Sequence, residues 1–131
     1  MFRFTHRAAA AGSLVLALAL GGCDDKLTLN NDTTPPTATI SGPADGSNVS
    51  GVSFVIDVDA TDENGIYRVE FRVNGNTTVD ETAPFSARVL TLNLAQDATL
   101  DVEVVAFDWA ENSTSAAATY TVQGRTVTRL T

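Results

Sequence analysis

The chain has 131 residues and a formal net charge of −8, from 8 basic and 16 acidic side chains, with one cysteine and one histidine. That length sets a prior of one domain. The acidic balance repels phosphate backbones and so argues against nucleic-acid binding, and a lone cysteine has no partner for an internal disulfide.

Residues 1–7 carry Arg3, Arg7 and the sole histidine, His6, with no acid, and residues 8–20 are almost wholly apolar. The apolar stretch of about 13–15 residues is too short to cross a ~30 Å hydrocarbon core as a helix. A basic start, a short apolar middle and small residues at the end form the layout of a secretory signal. Removing residues 1–22 leaves 6 basic against 16 acidic residues, a net of −10, and no histidine. Without histidine there is no Ser-His or Cys-His nucleophile pair and no usual zinc ligand set. A carboxylate-only hydrolase stays chemically open but needs a cleft, which a domain of roughly 90 residues with one shared core seldom encloses.

Leu20, Gly21 and Gly22 before Cys23 resemble the bacterial lipobox, in which an aliphatic residue and two small ones precede the cysteine. The resemblance implies cleavage before Cys23 and diacylation of its thiol, palmitate included. The lipid bilayer is then a partner, and the chain sits on the exported side of the cell membrane or outer membrane. Two acyl chains give stable anchoring where one does not. The alternative is an ordinary signal cut after Ala17-Leu18-Ala19, leaving Cys23 an incidental thiol. Asp24 and Asp25 resemble the inner-membrane retention signal of enteric bacteria, a rule that is not general, so both membranes stay open.

Residues 24–35, DDKLTLNNDTTP, are polar and aperiodic. With Cys23 they read as a tether of at most roughly 40 Å when extended. From residue 36 to about 123 the pattern changes to short runs of period two broken by Gly, Asn, Asp and Pro, which is strand patterning. In 52–60, Val52, Phe54, Ile56, Val58 and Ala60 share one face. In 67–73, Arg68, Glu70 and Arg72 point outward, and in 100–106 Asp101 and Glu103 do. Weaker strands fall at 38–41, 77–80, 85–92 and 115–122. Asn74-Gly75 predicts a tight hairpin, and residues 124–131 read as a tail with Val127 and Leu130 among polar residues. About seven antiparallel strands, each with one apolar face and no amphipathic helix among them, need two sheets packed face to face. The fold class is therefore all-β, a sandwich.

The Pro35-Pro36 start, S-G-P-A-D-G before the second strand, D-E-N-G-I before the third and D-W-A-E-N in the last hairpin resemble the bacterial immunoglobulin-like domains of surface proteins and secreted polysaccharide-degrading enzymes. The resemblance spans about residues 34–123. It implies an immunoglobulin-like β-sandwich that acts as a spacer, adhesion unit or accessory domain, with no catalysis.

In such a sandwich the segment leading into the domain and three strand connections share one pole. Those segments here hold Asp32, Asp59, Asp62, Glu63, Asp80, Glu81, Asp108 and Glu111, 8 of the 16 acids. Related domains bind calcium at such poles, and the implied ligands are Asp32, Asp62, Asn64, Asp108 and Asn112. A hard divalent cation relieves carboxylate repulsion, while the plainer reading makes these residues turn formers. Trp109 beside them either contacts a ligand by stacking on a sugar ring or folds back over its own sandwich edge. The expected function is a membrane-anchored envelope lipoprotein with a non-catalytic binding or spacer module, contacting an envelope protein or glycan. The alternative is a calcium-dependent carbohydrate-binding accessory domain using the Trp109 loop.

Overall fold

The computed structural model describes residues 31–124. The expected export signal at 1–22, Cys23, the expected tether up to residue 30 and the expected tail from residue 125 lie outside the described residues. Eight strands follow in order: β1 (Thr37–Gly42), β2 (Asn48–Val49), β3 (Ser53–Thr61), β4 (Ile66–Val73), β5 (Asn76–Asp80), β6 (Phe85–Leu90), β7 (Thr99–Asp108) and β8 (Ser113–Val122). They form a three-stranded sheet, β1-β3-β6, and a five-stranded sheet, β2-β8-β7-β4-β5. Described residues contain no helix, and the expected all-β immunoglobulin-like sandwich is what the chain forms.

Alternation builds the core. Ile56 and Val58 on β3 and Phe85 and Ala87 on β6 face Val69, Phe71, Val102, Val104, Ala106 and Tyr120 of the other sheet, all buried. Burying each large apolar side chain contributes about 1.5–3 kcal/mol, so with no disulfide available this packing dominates stability. Tyr120 is fully buried; its ring meets Phe54 edge-on at 5.4 Å and its hydroxyl donates to the Pro43 carbonyl at 2.8 Å. That bond satisfies the one polar atom that such a site would otherwise strand. Burial, and secondarily the charge of Asp45, pushes the phenol above its ordinary pKa.

The Asn74-Gly75 hairpin forms as expected, with φ of 47° and 84° and Val73 paired to Asn76 across it. Both central residues need positive φ, which Asn and Gly tolerate. Three expectations change. The strand count rises to eight because Asn48 and Val49 pair with Thr121 and Val122, and this pair is parallel. A two-residue run between turns has no periodicity to read. Val52 is excluded from the core at 53% exposure, since β3 begins at Ser53 after the left-handed Gly51. β6 ends at Leu90 and not at residue 92, because Thr91 turns inward to bond Val52 and Gly51 carbonyls through its N–H and hydroxyl.

The outward face of β4 carries a charge ladder. Glu70 accepts from Arg68 at 3.1 Å and from Arg72 at 2.8 Å; Arg72 reaches Glu103 and Arg68 reaches Glu111. The Arg68 guanidinium also lies 3.8 Å from the centre of the Phe107 ring. Its stem and head thereby cover an aromatic on a solvent-facing sheet.

Candidate functional site at the acidic pole

One pole is made by residues 31–36 and by the β3–β4, β5–β6 and β7–β8 connections. Each connection is shaped by the same device: an aspartate accepts the backbone N–H two residues on. Asp32 accepts from Thr34 at 2.9 Å, Asp62 from Asn64 at 2.8 Å, Asp80 from Thr82 at 3.0 Å and Asp108 from Ala110 at 2.8 Å. Such side-chain turns stand in for a backbone turn. Asp80 uses its second oxygen on the Ser86 N–H at 2.9 Å, and so spans the whole β5–β6 turn.

Three of the four aspartates converge. One carboxylate oxygen from each of Asp32, Asp62 and Asp108 lies within 4.8 Å of the other two. Asp108 is fully buried and the other two are half-buried. The residues implied from sequence are thus brought together, Asn64 and Asn112 included, since Asn64 Nδ2 donates to Asp32 at 2.7 Å. Asn112 Nδ2 donates to the Asp32 carbonyl at 2.9 Å and to Asp108 Oδ2 at 2.8 Å, and the Asn112 N–H donates to Asp108 Oδ1 at 2.9 Å. These donors hold Asp32 below the ordinary carboxylate pKa, the Thr34 N–H contributing most and Asn64 next.

This geometry bears on cation binding in two ways. Calcium takes oxygens at about 2.3–2.6 Å, so ligands on opposite sides stand at most about 5 Å apart. Oxygens within 4.8 Å of one another meet that limit. The two asparagines, however, aim amide nitrogens at the acids and act as hydrogen-bond donors. Their positive edges relieve the carboxylate repulsion directly. As placed, the oxygen donors aimed inward are the three aspartates, and either asparagine would have to turn its amide to become a ligand.

Trp109 follows Asp108 and folds back over its own sandwich edge, with part of the residue left in solvent. Its ring packs on Tyr67, centroids 4.7 Å apart at 39°, and a Cβ on Gly65 would sit 3.7 Å from its Nε1, yet 54% of the residue is exposed. Tyr67 belongs to the site and was not legible as such. The alternation from 67 to 73 assigns it to the inward face, but the β4–β7 register shifts between Ile66 and Arg68. A bulge there re-aims one side chain, and Tyr67 meets Trp109 and Arg68. Beside the cluster is a shallow depression of about 340 Å³ lined by Asp62, Gly65, Glu81 and Phe85 among others. Glu63 is exposed in the β3–β4 connection, and Asp59 pairs with Thr39 within the sheet.

Comparison with known proteins agrees with this architecture. The family described as bacterial Ig domain matches residues 36–128. No curated protein matches the chain. Among solved structures, the chain is similar to the fibronectin(III)-like modules of Clostridium thermocellum CbhA, with a TM-score of 0.59 and 24% identity over 74% of this chain and 51% of that one. It is also similar to dimeric latent PorU of Porphyromonas gingivalis, with a TM-score of 0.54 and 17% identity over 79% of this chain and 12% of that one. A modular endo-β-1,4-mannanase from Cellulomonas fimi gives a TM-score of 0.50 and 16% identity over 66% of this chain and 18% of that one. The chain spans about half the length of the first and far less of the other two. At these identities the likeness is one of fold.

Proposed function

The chain belongs to the bacterial Ig domain family, and from that premise we propose that it is a non-catalytic spacer and contact module, held at the cell envelope by lipid on Cys23. The observation that carries the spacer reading is where the chain crosses the domain. Residues 31–36 arrive at the acidic pole, where Asp32 is bonded to Asn64 and Asn112, and β8 leaves at the opposite pole beside Val49 and Ala98. The ten-residue strands β7 and β8 run between the poles, a distance of about 30 Å at ~3.3 Å per residue. A domain traversed from end to end sets distance, and a rigid sandwich sets it better than a flexible linker.

In this reading the acidic pole is the joint between tether and sandwich and faces the lipid. A calcium ion held by Asp32, Asp62 and Asp108 would stiffen that joint by tying the tether's last residues to two strand connections. Cells expressing the full chain and fed labelled palmitate test the anchor. Label on the wild type and its loss, with release from membranes, in Cys23→Ser is the expected result. Membrane retention of unlabelled Cys23→Ser would overturn it.

The half-exposed Trp109 ring supports a second reading, a carbohydrate-binding accessory domain, because a pyranose face stacks on such a ring. Retention on an insoluble neutral polysaccharide that Trp109→Ala abolishes decides for that reading. No retention on a polysaccharide panel decides for the spacer.

A further inference from the structure

β1, β6, β2 and β5 stand at the sheet edges, and among the described residues β5 is the one without a guard. β2 offers only two residues, β1 carries a register shift between Ile40 and Gly42, and β6 gives its Ser86 N–H to Asp80 and holds Arg88 near its centre. Short edges, bulges and charged side chains are the usual means of refusing another strand. β5 pairs with β4 alone, in unbroken register, and contains no proline and no basic residue. Its one acid, Asp80, is turned to the Thr82 and Ser86 amides, and Val79 is 49% exposed. The hairpin decides which backbone groups are open. Val73 and Asn76 flank the Asn74-Gly75 turn and so exchange hydrogen bonds, while the Asn74 N–H bonds away from β5, to the Asp101 carbonyl on β7. Bonding alternates along a strand, so Thr78 faces β4, and Thr77 and Val79 direct their N–H and C=O groups to the open side.

We propose that a second copy of this chain occupies that edge, β5 pairing antiparallel with β5 about a twofold axis at Thr78. Thr77 of one copy then exchanges both of its backbone hydrogen bonds with Val79 of the other. The side chains are self-complementary in this register. On the outward face Thr77 meets Val79, a β-branched pair, and the β4 partners place Arg72 behind Thr77 and Glu70 behind Val79. Each row across the join therefore ends in opposite charges. On the inward face Asn76 stands opposite Asp80, an amide against a carboxylate, and no like charges face each other. β6 paired with itself about Arg88 would instead set two arginines side by side, which is destabilising. A twofold contact closes on itself and gives a dimer with one continuous sheet, not a fibre. Two such short strands bury far less than the ~1,200–2,000 Å² of a standard interface, so the dimer is a transient one, best caught by a chemical trap.

Because Cys23 is the sole cysteine, a thiol placed on β5 of the full chain carrying Cys23→Ser reports the pairing register. Thr78 and its copy form a pair that exchanges no backbone bonds, with Cα atoms about 4.5 Å apart, inside disulfide reach. Thr77 and its own copy stand about 8 Å apart, beyond that reach, as do Val79 and its copy. Under mild oxidation, with rates normalised to modification by iodoacetamide, Thr78→Cys should cross-link at least tenfold faster than Thr77→Cys or Val79→Cys. Adding Thr77→Pro to Thr78→Cys removes an N–H that the β4 ladder does not use, a change an edge strand accepts, and cross-linking should fall to the level of the other two positions. Equal rates at the three positions, or no Thr78→Cys dimer, overturn the proposal. Cross-linking that survives Thr77→Pro overturns it as well.

Discussion

Asp108 offers the sharpest test of how the acidic pole is held. Its carboxylate is fully buried and accepts three hydrogen bonds, from Ala110 N–H, Asn112 N–H and Asn112 Nδ2. Asp108→Ala leaves two backbone amides of the β7–β8 loop without an acceptor, each costing about 1–3 kcal/mol if it stays dry. Water entering the vacated space and the removal of one of three crowded carboxylates offset part of this, and about 3 kcal/mol remains. For a domain of this size that lowers the melting midpoint by about 15 °C. Asp108→Asn keeps one oxygen for the loop amides and should lose about half as much. Circular dichroism melts with chelator measure both, and an Asp108→Ala midpoint within 3 °C of wild type would refute the account. The same melts address calcium. Sites of ~10⁻⁴–10⁻³ M affinity contribute about 1–2 kcal/mol at ~5 mM calcium, so the wild type should gain about 5–10 °C while Asp62→Ala gains nothing. Equal midpoints in calcium and chelator for the wild type would remove calcium from the pole and leave the hydrogen-bond network as its sole fastening.

Three further outcomes follow from particular side chains. Hydrogen bonds from Arg72, and then from Arg68, hold Glu70 below its ordinary value of 4.5. A depressed folded pKa means the contribution is complete above that value and is lost as pH falls below it, so between pH 5 and pH 3 the wild type should lose about 1 kcal/mol more stability than Glu70→Gln. Parallel urea-unfolding profiles would show that the ladder contributes nothing. Tyr120→Phe removes the bond to Pro43 and should cost about 1 kcal/mol, read as a shift in the denaturant midpoint at unchanged slope; no shift would mean that water serves that carbonyl equally well. Trp109→Ala should cost about 1 kcal/mol or less, since over half the residue is already in solvent and an aromatic pair adds about 0.5–1.5 kcal/mol. A loss above 3 kcal/mol would place that ring in the core.

Much of this architecture was legible because it rests on period two. Ile56 and Val58, Val69 and Phe71, and Val102 and Val104 each announce an inward face by alternation, and each is buried. What escaped depends on features that alternation cannot carry. The bulge at Tyr67 is a pairing event between β4 and β7, visible only once both strands are placed. β2 is two residues held by β8, more than 70 positions away. Leu92 ends a run that reads as strand, yet the bonds of Thr91 to Gly51 and Val52 stop the strand two residues earlier. The five residues expected at the cation site did meet, because Asp and Asn recur at the connections of one pole and the sandwich topology draws those connections together. Their chemical roles were less legible. Whether an asparagine offers its oxygen or its nitrogen is set by a neighbour's acceptors, and here the carboxylates draw Nδ2 of both Asn64 and Asn112.

That detail shifts the meaning of the acidic pole. A set of carboxylates awaiting an ion would repel one another in its absence, and Asp32 would be held to neither neighbouring connection. In this chain Asn64 and Asn112 tie Asp32 to both neighbouring connections through its side chain and its carbonyl. The sandwich therefore already grips Asp32, and a cation would add stiffness to a joint that exists without it. A spacer anchored as proposed would need that property at the end near its lipid. It would transmit position only if its first residues were continuous with the rigid body, and Asp32 is fastened to that body through Asn64 and Asn112.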